Sequence, residues 1–362
     1  MAKKVYVGMS GGVDSSVSAA LLKQQGYEVT GVYMKNWSQD LPGLICPWKE
    51  DYQDAKRVAV QLNIDFKLYD FETQYREKVV DYMVSEYRAG RTPNPDIMCN
   101  QEVKFKLFLQ TALSDGADCI ATGHYARVHD AHLLMGLDKT KDQSYFLYRI
   151  SRAALKRSLF PIGEFTKPAV RQLAQKYGLA TATKPDSQGI CFVGKVGIKD
   201  FLIHKLGRQK PGPIINQAGQ TVGQHDGAIF YTIGQRHGLD VGGGLPYYVT
   251  RKNIATNTVY VTTDLDDQAL WTKELQLEDV HWINAKPEQR GNYRARLRYR
   301  GPLVACEIKG TTLTLAEAQR GLAAGQSAVI YDHETCLGGG IISRTGSSRT
   351  EPKTHVITKT AL

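Results

Sequence analysis

The chain has no C-x-x-C pair: its six cysteines, Cys46, Cys99, Cys119, Cys191, Cys306 and Cys336, are widely scattered. That spacing argues against a zinc knuckle and a disulfide framework, so reduced thiols in a cytosol are expected. No 18-residue apolar run occurs, and the N-terminus enters an apolar strand directly, without a basic and apolar leader. A soluble, cytoplasmic protein with no membrane partner is expected. Internal repeats are absent, and the only low-complexity stretch is a polar tail at Thr345 to Thr354. Acidic residues are in short supply, 36 against 46 Lys and Arg, which points to a polyanionic partner, nucleic acid first. At 362 residues with 42% apolar content the chain can bury a core and should form two or three domains.

One glycine-rich loop dominates what is present. Ser10-Gly11-Gly12-Val13-Asp14-Ser15-Ser16 follows the apolar run Lys3 to Met9 and precedes a helical stretch, Val17 to Gln25. A glycine pair lets backbone N–H groups close on an anion, serine hydroxyls add donors, and the following helix points its positive end at the charge. The lysine of a G-x-x-x-x-G-K-[ST] loop is missing, so no side chain in the loop would clamp a γ-phosphate. The bland alternative is a Gly/Ser turn between a strand and a helix.

Short buried strands are read at Lys3 to Met9, Glu28 to Met34, Phe66 to Tyr69 and Ala117 to Thr122, with helices around Val17 to Gln25, Tyr52 to Leu62 and Phe71 to Ala89. This alternation predicts an α/β fold with a doubly wound parallel sheet over residues 1–199. Ligands bind beyond the carboxyl ends of such strands, where the Ser10 loop, the segment after Met34 and Gly123-His124-Tyr125 would lie. From about Lys199 the texture changes, and Lys210-Pro211-Gly212-Pro213 and Gly242-Gly243-Gly244 mark a small middle domain, 200–265. Short strand-like runs in 266–362, including Tyr293 to Tyr299 and Ser327 to Tyr331, predict a C-terminal β-barrel.

Two cysteines stand in suggestive settings. Thr92-Pro93-Asn94-Pro95-Asp96-Ile97-Met98-Cys99-Asn100 leads into a helix-like run from Gln101. A thiol near a helix N-terminus has its thiolate stabilised, and Asp96 is placed to cap the helix or to move a proton. From these residues alone, an N-cap followed by an inert buried cysteine is the favoured reading, since buried thiols are common. Cys191 lies in Lys184-Pro185-Asp186-Ser187-Gln188-Gly189-Ile190-Cys191-Phe192-Val193-Gly194, a Gly-bounded loop, and alone it too has an inert reading. Further along, Arg294, Arg296, Arg298 and Arg300 alternate on one strand-like run, which would put four guanidiniums on one face for phosphates, or on a solvated barrel face.

Together, the Ser10 loop, Asn94-Pro95-Asp96 with Cys99, Gly123-His124-Tyr125-Ala126-Arg127, Asp142-Gln143-Ser144-Tyr145-Phe146-Leu147 and Gly189-Ile190-Cys191-Phe192 resemble the tRNA-specific 2-thiouridylases. The resemblance runs in the family's order from residue 3 through Tyr231-Thr232-Ile233-Gly234-Gln235-Arg236 to Gly338-Gly339-Gly340-Ile341-Ile342. The loop itself is similar to the S-G-G-x-D-S pyrophosphatase type, whose families split ATP between the α- and β-phosphates. The resemblance implies Cys99 as nucleophile, Cys191 as persulfide carrier and Asp96 as acid/base helper. It implies nucleotide contacts at Gly8, Met9, Ser10, Gly11, Gly12, Val13, Asp14, Ser15, Met34 and Gly123. For tRNA it implies Asn94, Pro95, Asp96, His124, Lys141, Asp142, Gln143, Arg298, Tyr299 and Gln326. Segment 39–50 fits no assigned role, and Cys46, Cys119, Cys306 and Cys336 are read as inert.

The implied activity is ATP-dependent 2-thiolation of the tRNA wobble uridine, with Mg²⁺ accompanying ATP and sulfur arriving from a relay protein or a cysteine desulfurase. An iron–sulfur cluster on Asp96, Cys99 and Cys191 is a rival use of the same residues, which offer two thiols where such clusters normally take four. The rival enzyme is another adenylating ligase with this loop, amide-forming or argininosuccinate-type, which needs no paired cysteines. An RNA-binding protein retaining only a nucleotide pocket is the rival from another class.

Overall fold

The computed structural model describes residues 2–40, 46–186, 197–242, 244–288 and 291–345. The first sheet contains β1 (Lys4–Gly8), β2 (Glu28–Lys35), β3 (Asp65–Asp70) and β4 (Cys119–Thr122). A hairpin, β5 (Ala126–His129) and β6 (His132–Met135), precedes its last strand, β7 (Ser158–Leu159). The order is β3-β2-β1-β4-β7 with every pairing parallel. Successive strand residues face opposite sides. Val5 and Val7 of β1, with Met9 just beyond it, therefore join one apolar cluster with Val17 and Leu21 of α1 (Val13–Gln24). Tyr6, Val32 and Ile120 join another with Val79, Met83, Val103 and Phe108. Helices thus cover both faces, as the run of short buried strands predicts.

The longer helices besides α1 are α2 (Trp48–Gln61), α3 (72–88), α4 (95–114), α5 (Lys167–Lys176) and α6 (Ile198–Leu206). Both α3 and α4 widen into π-helical spacing in mid-course, at Arg76–Val80 and at Cys99–Phe108. Such wide turns cluster at functional sites, and nothing in the apolar periodicity announces them.

The middle domain is a four-stranded sheet, β10-β11-β8-β9, formed by β8 (Gly212–Ile215), β9 (Thr221–His225), β10 (Tyr248–Asn253) and β11 (Thr258–Thr262). Beyond it, β12 (Trp271–Trp282), β13 (Tyr293–Arg296), β14 (Val304–Lys309), β15 (Thr312–Arg320), β16 (Ser327–Asp332) and β17 (Thr335–Thr345) form the barrel. The β12–β17 pairing closes it around Leu275, Leu313, Leu315, Ile330 and Ile342. The Gly338-Gly339-Gly340 run has a steric cause there. A Cβ on Gly338 would lie 2.1 Å from the His281 carbonyl oxygen and one on Gly339 2.2 Å from that of Ala328.

The domains interlock. β6 pairs with β17, extending the barrel sheet with a hairpin from the first domain. Tyr145 donates to the Ser327 carbonyl at 3.0 Å, and the Ser144 hydroxyl lies 3.1 Å from that of Tyr331. Among the described residues, no helix is long and apolar enough to cross a membrane.

Candidate active site

The phosphate-type loop sits where β1 ends and α1 begins, with Gly12 as the N-cap of α1. Gly11 has φ +76, and a Cβ there would fall 2.4 Å from the Asp51 carbonyl oxygen, so α2 presses on the loop and only glycine fits. Gly123, just past β4, is equally tight, its ideal Cβ 2.7 Å from the Ser15 nitrogen. A Cβ on Gly8 would meet Met34 Cε at 2.9 Å, so those two adjoin at the neighbouring strand ends. The hydroxyls behave differently from the sequence expectation. Ser15 accepts from the Ser10 N–H at 3.2 Å and donates to the Gly12 carbonyl at 3.1 Å, while Ser16 donates to the same carbonyl at 2.8 Å. Two of the three hydroxyls therefore brace the loop, leaving Ser10, which is exposed, and the first-turn N–H groups of α1 to meet an anion.

The loop does have a lysine, supplied from far away in sequence. Lys167 Nζ lies 2.8 Å from both carboxylate oxygens of Asp14 and 2.8 Å from Asp186, and Tyr125 donates to Asp14 at 2.8 Å. Asp186 also takes Lys141 at 2.9 Å and Arg171 at 2.7 Å. Burial opposes its charge, but bonds from Lys167 and Lys141 win and hold the Asp186 carboxyl down to about 2. Lys184 reaches Asp51 at 2.8 Å and Asp54 at 2.6 Å, tying the same stretch of chain to α2. The missed signal for Lys167 is its position at the first turn of α5, capped by Thr166, where the helix dipole disfavours a cation unless carboxylates compensate.

The second centre is the start of α4. Asn94 caps it, its Oδ1 accepting the Ile97 N–H at 3.4 Å, and Pro95 follows at the first helical position. The cap is thus Asn94, and Asp96 is released from that duty. Burial pushes the Asp96 carboxyl up, opposed only partly by Lys104. Asp96 and Cys99, three apart, share one side of the helix, and Cys99 is buried, 3% exposed. Cys191, with residues 187–196, lies outside the described residues. Among the described residues, no group of three or more His, Cys, Asp or Glu is set to hold a metal.

Two residues at the end of β4 bind the centres to one edge. Gly123 presses on the phosphate loop, and His124 packs on Phe105 of α4 with ring centroids 5.8 Å apart. His124 is buried, its Nδ1 lies 2.7 Å from the Thr122 hydroxyl, and burial with nearby Lys104 keeps it well below the usual histidine range. It is a neutral structural ring in this conformation.

Several residues expected at the RNA surface hold the fold together. Asp142, 2% exposed, accepts from Gly136 and Ser144 N–H groups at 2.9 and 3.1 Å and pairs with Arg296 at 2.5 Å. Gln143 accepts the Tyr125 N–H at 2.9 Å, and Lys141 is held by Asp186. Gln326 donates to the Thr92 carbonyl at 2.8 Å, and the Thr92 N–H to that of Ala324, so the barrel clamps the chain leading into Asn94. The four-arginine stripe is corrected. β13 stops at Arg296, which turns inward to Asp142, and Arg300 takes a left-handed φ of 58. Arg294 and Arg298 are exposed, and Tyr299 is half-buried with its ring 4.5 Å from that of Phe146.

The chain matches the families described as "tRNA methyl transferase HUP domain" over residues 3–195, "tRNA methyl transferase PRC-barrel domain" over 199–263 and "Aminomethyltransferase beta-barrel domain" over 272–342. It is 47% identical to the tRNA-specific 2-thiouridylase MnmA of Ralstonia nicotianae, over 96% of this chain and 98% of that protein. Identity to the Cupriavidus necator protein of the same name is 48%, over 94% and 98%. The chain belongs to the tRNA-specific 2-thiouridylase family. Geobacillus kaustophilus supplies a further 2-thiouridylase relative, 47% identical over 94% of each chain. Among solved structures, a 4-thiouridine synthetase bound to RNA and ATP overlaps 53% of this chain and 45% of its own at 18% identity, with a TM-score of 0.38.

Proposed function

We propose that the protein is an ATP-dependent tRNA-uridine 2-sulfurtransferase acting on the wobble uridine. The observation that carries this is the pairing, at one sheet edge, of an anion-binding loop with a buried helix-start thiol beside an acid. The 2-thiouridylase relatives along nearly the whole chain agree with it. The C2 oxygen of uridine is a poor leaving group. Attack of that oxygen on the α-phosphorus of ATP releases pyrophosphate and leaves the base O-adenylated, so that the oxygen can depart as part of AMP. Sulfur is then delivered at the sulfide level from a persulfide on Cys191, AMP departs, and a Cys99–Cys191 disulfide remains for a thiol reductant to open. Asp96, protonated further up the pH scale than an ordinary aspartate, is suited to give and retake the proton.

The N–H groups at the start of α1 and Lys167 are suited to the phosphates, with Gly8, Met9, Met34 and Gly123 shaping the nucleotide pocket. Mg²⁺ would be carried in on the phosphates, where it would neutralise their charge. Arg298 and Tyr299 are the exposed and half-exposed candidates for tRNA, and a relay protein or cysteine desulfurase is the proposed sulfur donor. Methyl transfer, the chemistry in two family descriptions, needs neither a second thiol nor this loop. Incubation with tRNA, ATP and a persulfide source, followed by nucleoside mass spectrometry, decides: an oxygen replaced by sulfur supports the reading, and tRNA left without sulfur overturns it.

A further inference from the structure

Asn100, directly after Cys99, is 2% exposed and holds a buried polar atom without a partner beside the candidate thiol. Its Nδ2 donates to the Phe146 carbonyl at 3.1 Å, which fixes which way the amide faces. Its Oδ1 is buried without a hydrogen-bond partner. A buried acceptor left unmade costs stability, so a functional partner is the first explanation to seek.

We propose that Asn100 is a specificity-determining residue for the target base, its Oδ1 accepting the N3–H of uracil. The inference rests on the thiolation reading above. Uracil and cytosine carry the same oxygen at C2, so chemistry at that carbon alone does not separate them. They differ at the adjacent atom: uracil N3 bears a hydrogen, whereas cytosine N3 offers a bare lone pair. An orphan acceptor attracts the first and repels the second, because a donor-shaped partner is what it lacks. Cys99 and Asn100 are consecutive in the wide π-helical stretch Cys99–Phe108, where Cα atoms lie about 3.8 Å apart and adjacent side chains diverge by less than the roughly 100° of an α-helix. The Cys99 sulfur and the Asn100 oxygen would thus address neighbouring edges of one ring. Both are covered in this conformation, Cys99 at 3% exposure, so entry of a base that uncovers the thiol uncovers the acceptor too. The Phe146 carbonyl that orients Asn100 belongs to the residue whose ring packs on Tyr299, which gives the amide a firm backing.

The test is a double-mutant cycle on the full-length protein, using anticodon stem-loops with uridine or 3-deazauridine at the target position. The deaza base replaces N3–H by C–H and keeps the C2 oxygen. Wild type is expected to lose about 10- to 100-fold in kcat/KM on the deaza base, Asn100→Ala a similar factor on uridine and little more on the deaza base, with tRNA Kd nearly unchanged. Asn100→Asp keeps an acceptor and should retain the discrimination. Equal discrimination by wild type and Asn100→Ala overturns the proposal. If Asn100→Ala fails to fold, wild type thiolating the deaza base at full rate overturns it alone. Wild type that leaves uridine unthiolated overturns the underlying function instead, a distinct outcome.

Discussion

The two centres at the edge of the first sheet are built from opposite materials. Around the phosphate loop every charge has a countercharge: Asp14 and Asp186 share Lys167, while Lys141 and Arg171 hold Asp186. Around Cys99 there is little charge, with burial raising Asp96 and depressing His124. The first setting suits an incoming polyanion, which can take cations already in place. The second suits a thiol and a neutral acid that must exchange a proton without water. On the proposed mechanism, a step that separates charge and a step that moves sulfur are thus given different dielectric surroundings at one sheet edge.

Mutations that break one centre should leave the other running. Cys99→Ser is expected to lower thiolation by at least about 1,000-fold while tRNA-dependent pyrophosphate release continues, since the proposed nucleophile is replaced and the loop is intact. Loss of both activities together would show that the centres are not separable. Conversely, Asp14→Ala should abolish pyrophosphate release at saturating tRNA with tRNA affinity largely kept. Lys167→Ala should lower pyrophosphate release by about 100-fold, and Lys167→Arg should recover part of it. An alanine variant with wild-type ATP cleavage would reduce Lys167 to a structural tie.

The sheet, its helices and the barrel were legible because period and punctuation record them: short apolar runs, the helical stretches between them, and the Gly and Pro that separate the strands. The loop was also legible as a local pattern, whereas the thiol's local pattern favoured an inert cysteine and its proposed role came from the family resemblance. What escaped was whatever one distant residue does to another. Lys167 meets Asp14 across 153 positions, and Arg296 meets Asp142 across 154. The alternation of four arginines was real as a sequence pattern, yet the strand ends at Arg296 and a buried carboxylate draws that side chain inward. His124 and Gln326 look alike in sequence to surface polar residues, and only packing shows one under aromatic rings and the other clamping Thr92.

The arginines offer a sharper comparison within one short stretch. Arg296→Ala leaves Asp142 buried without its cation and should destabilise the protein by about 3–5 kcal/mol, seen as an early denaturant midpoint. Arg298→Ala should scarcely alter stability, because that side chain is exposed and makes one bond, 3.0 Å to the Arg320 carbonyl. It should instead weaken tRNA binding and reduce the slope of log affinity against log salt by about one contact. An unchanged slope would place Arg298 on a merely solvated face.

The smallest expected effect is a change in the pH dependence of stability at Asp96. Burial raises its folded carboxyl above the ordinary value of 3.8, so the folded state holds the proton more tightly than the unfolded chain does. Between the unfolded and folded pKa the native protein binds more protons, and stability falls as pH rises through that window. Above the folded pKa the penalty is complete and constant; below the unfolded value it is absent. Asp96→Asn removes the titration, so the variant should gain stability relative to wild type as pH rises from 4 toward neutrality, while thiolation is lost. Denaturant midpoints measured for both proteins across that range test the sign. A variant that loses stability relative to wild type on the alkaline side would mean that Asp96 is stabilised as the anion, and the contrast between a charged centre and a neutral one would collapse.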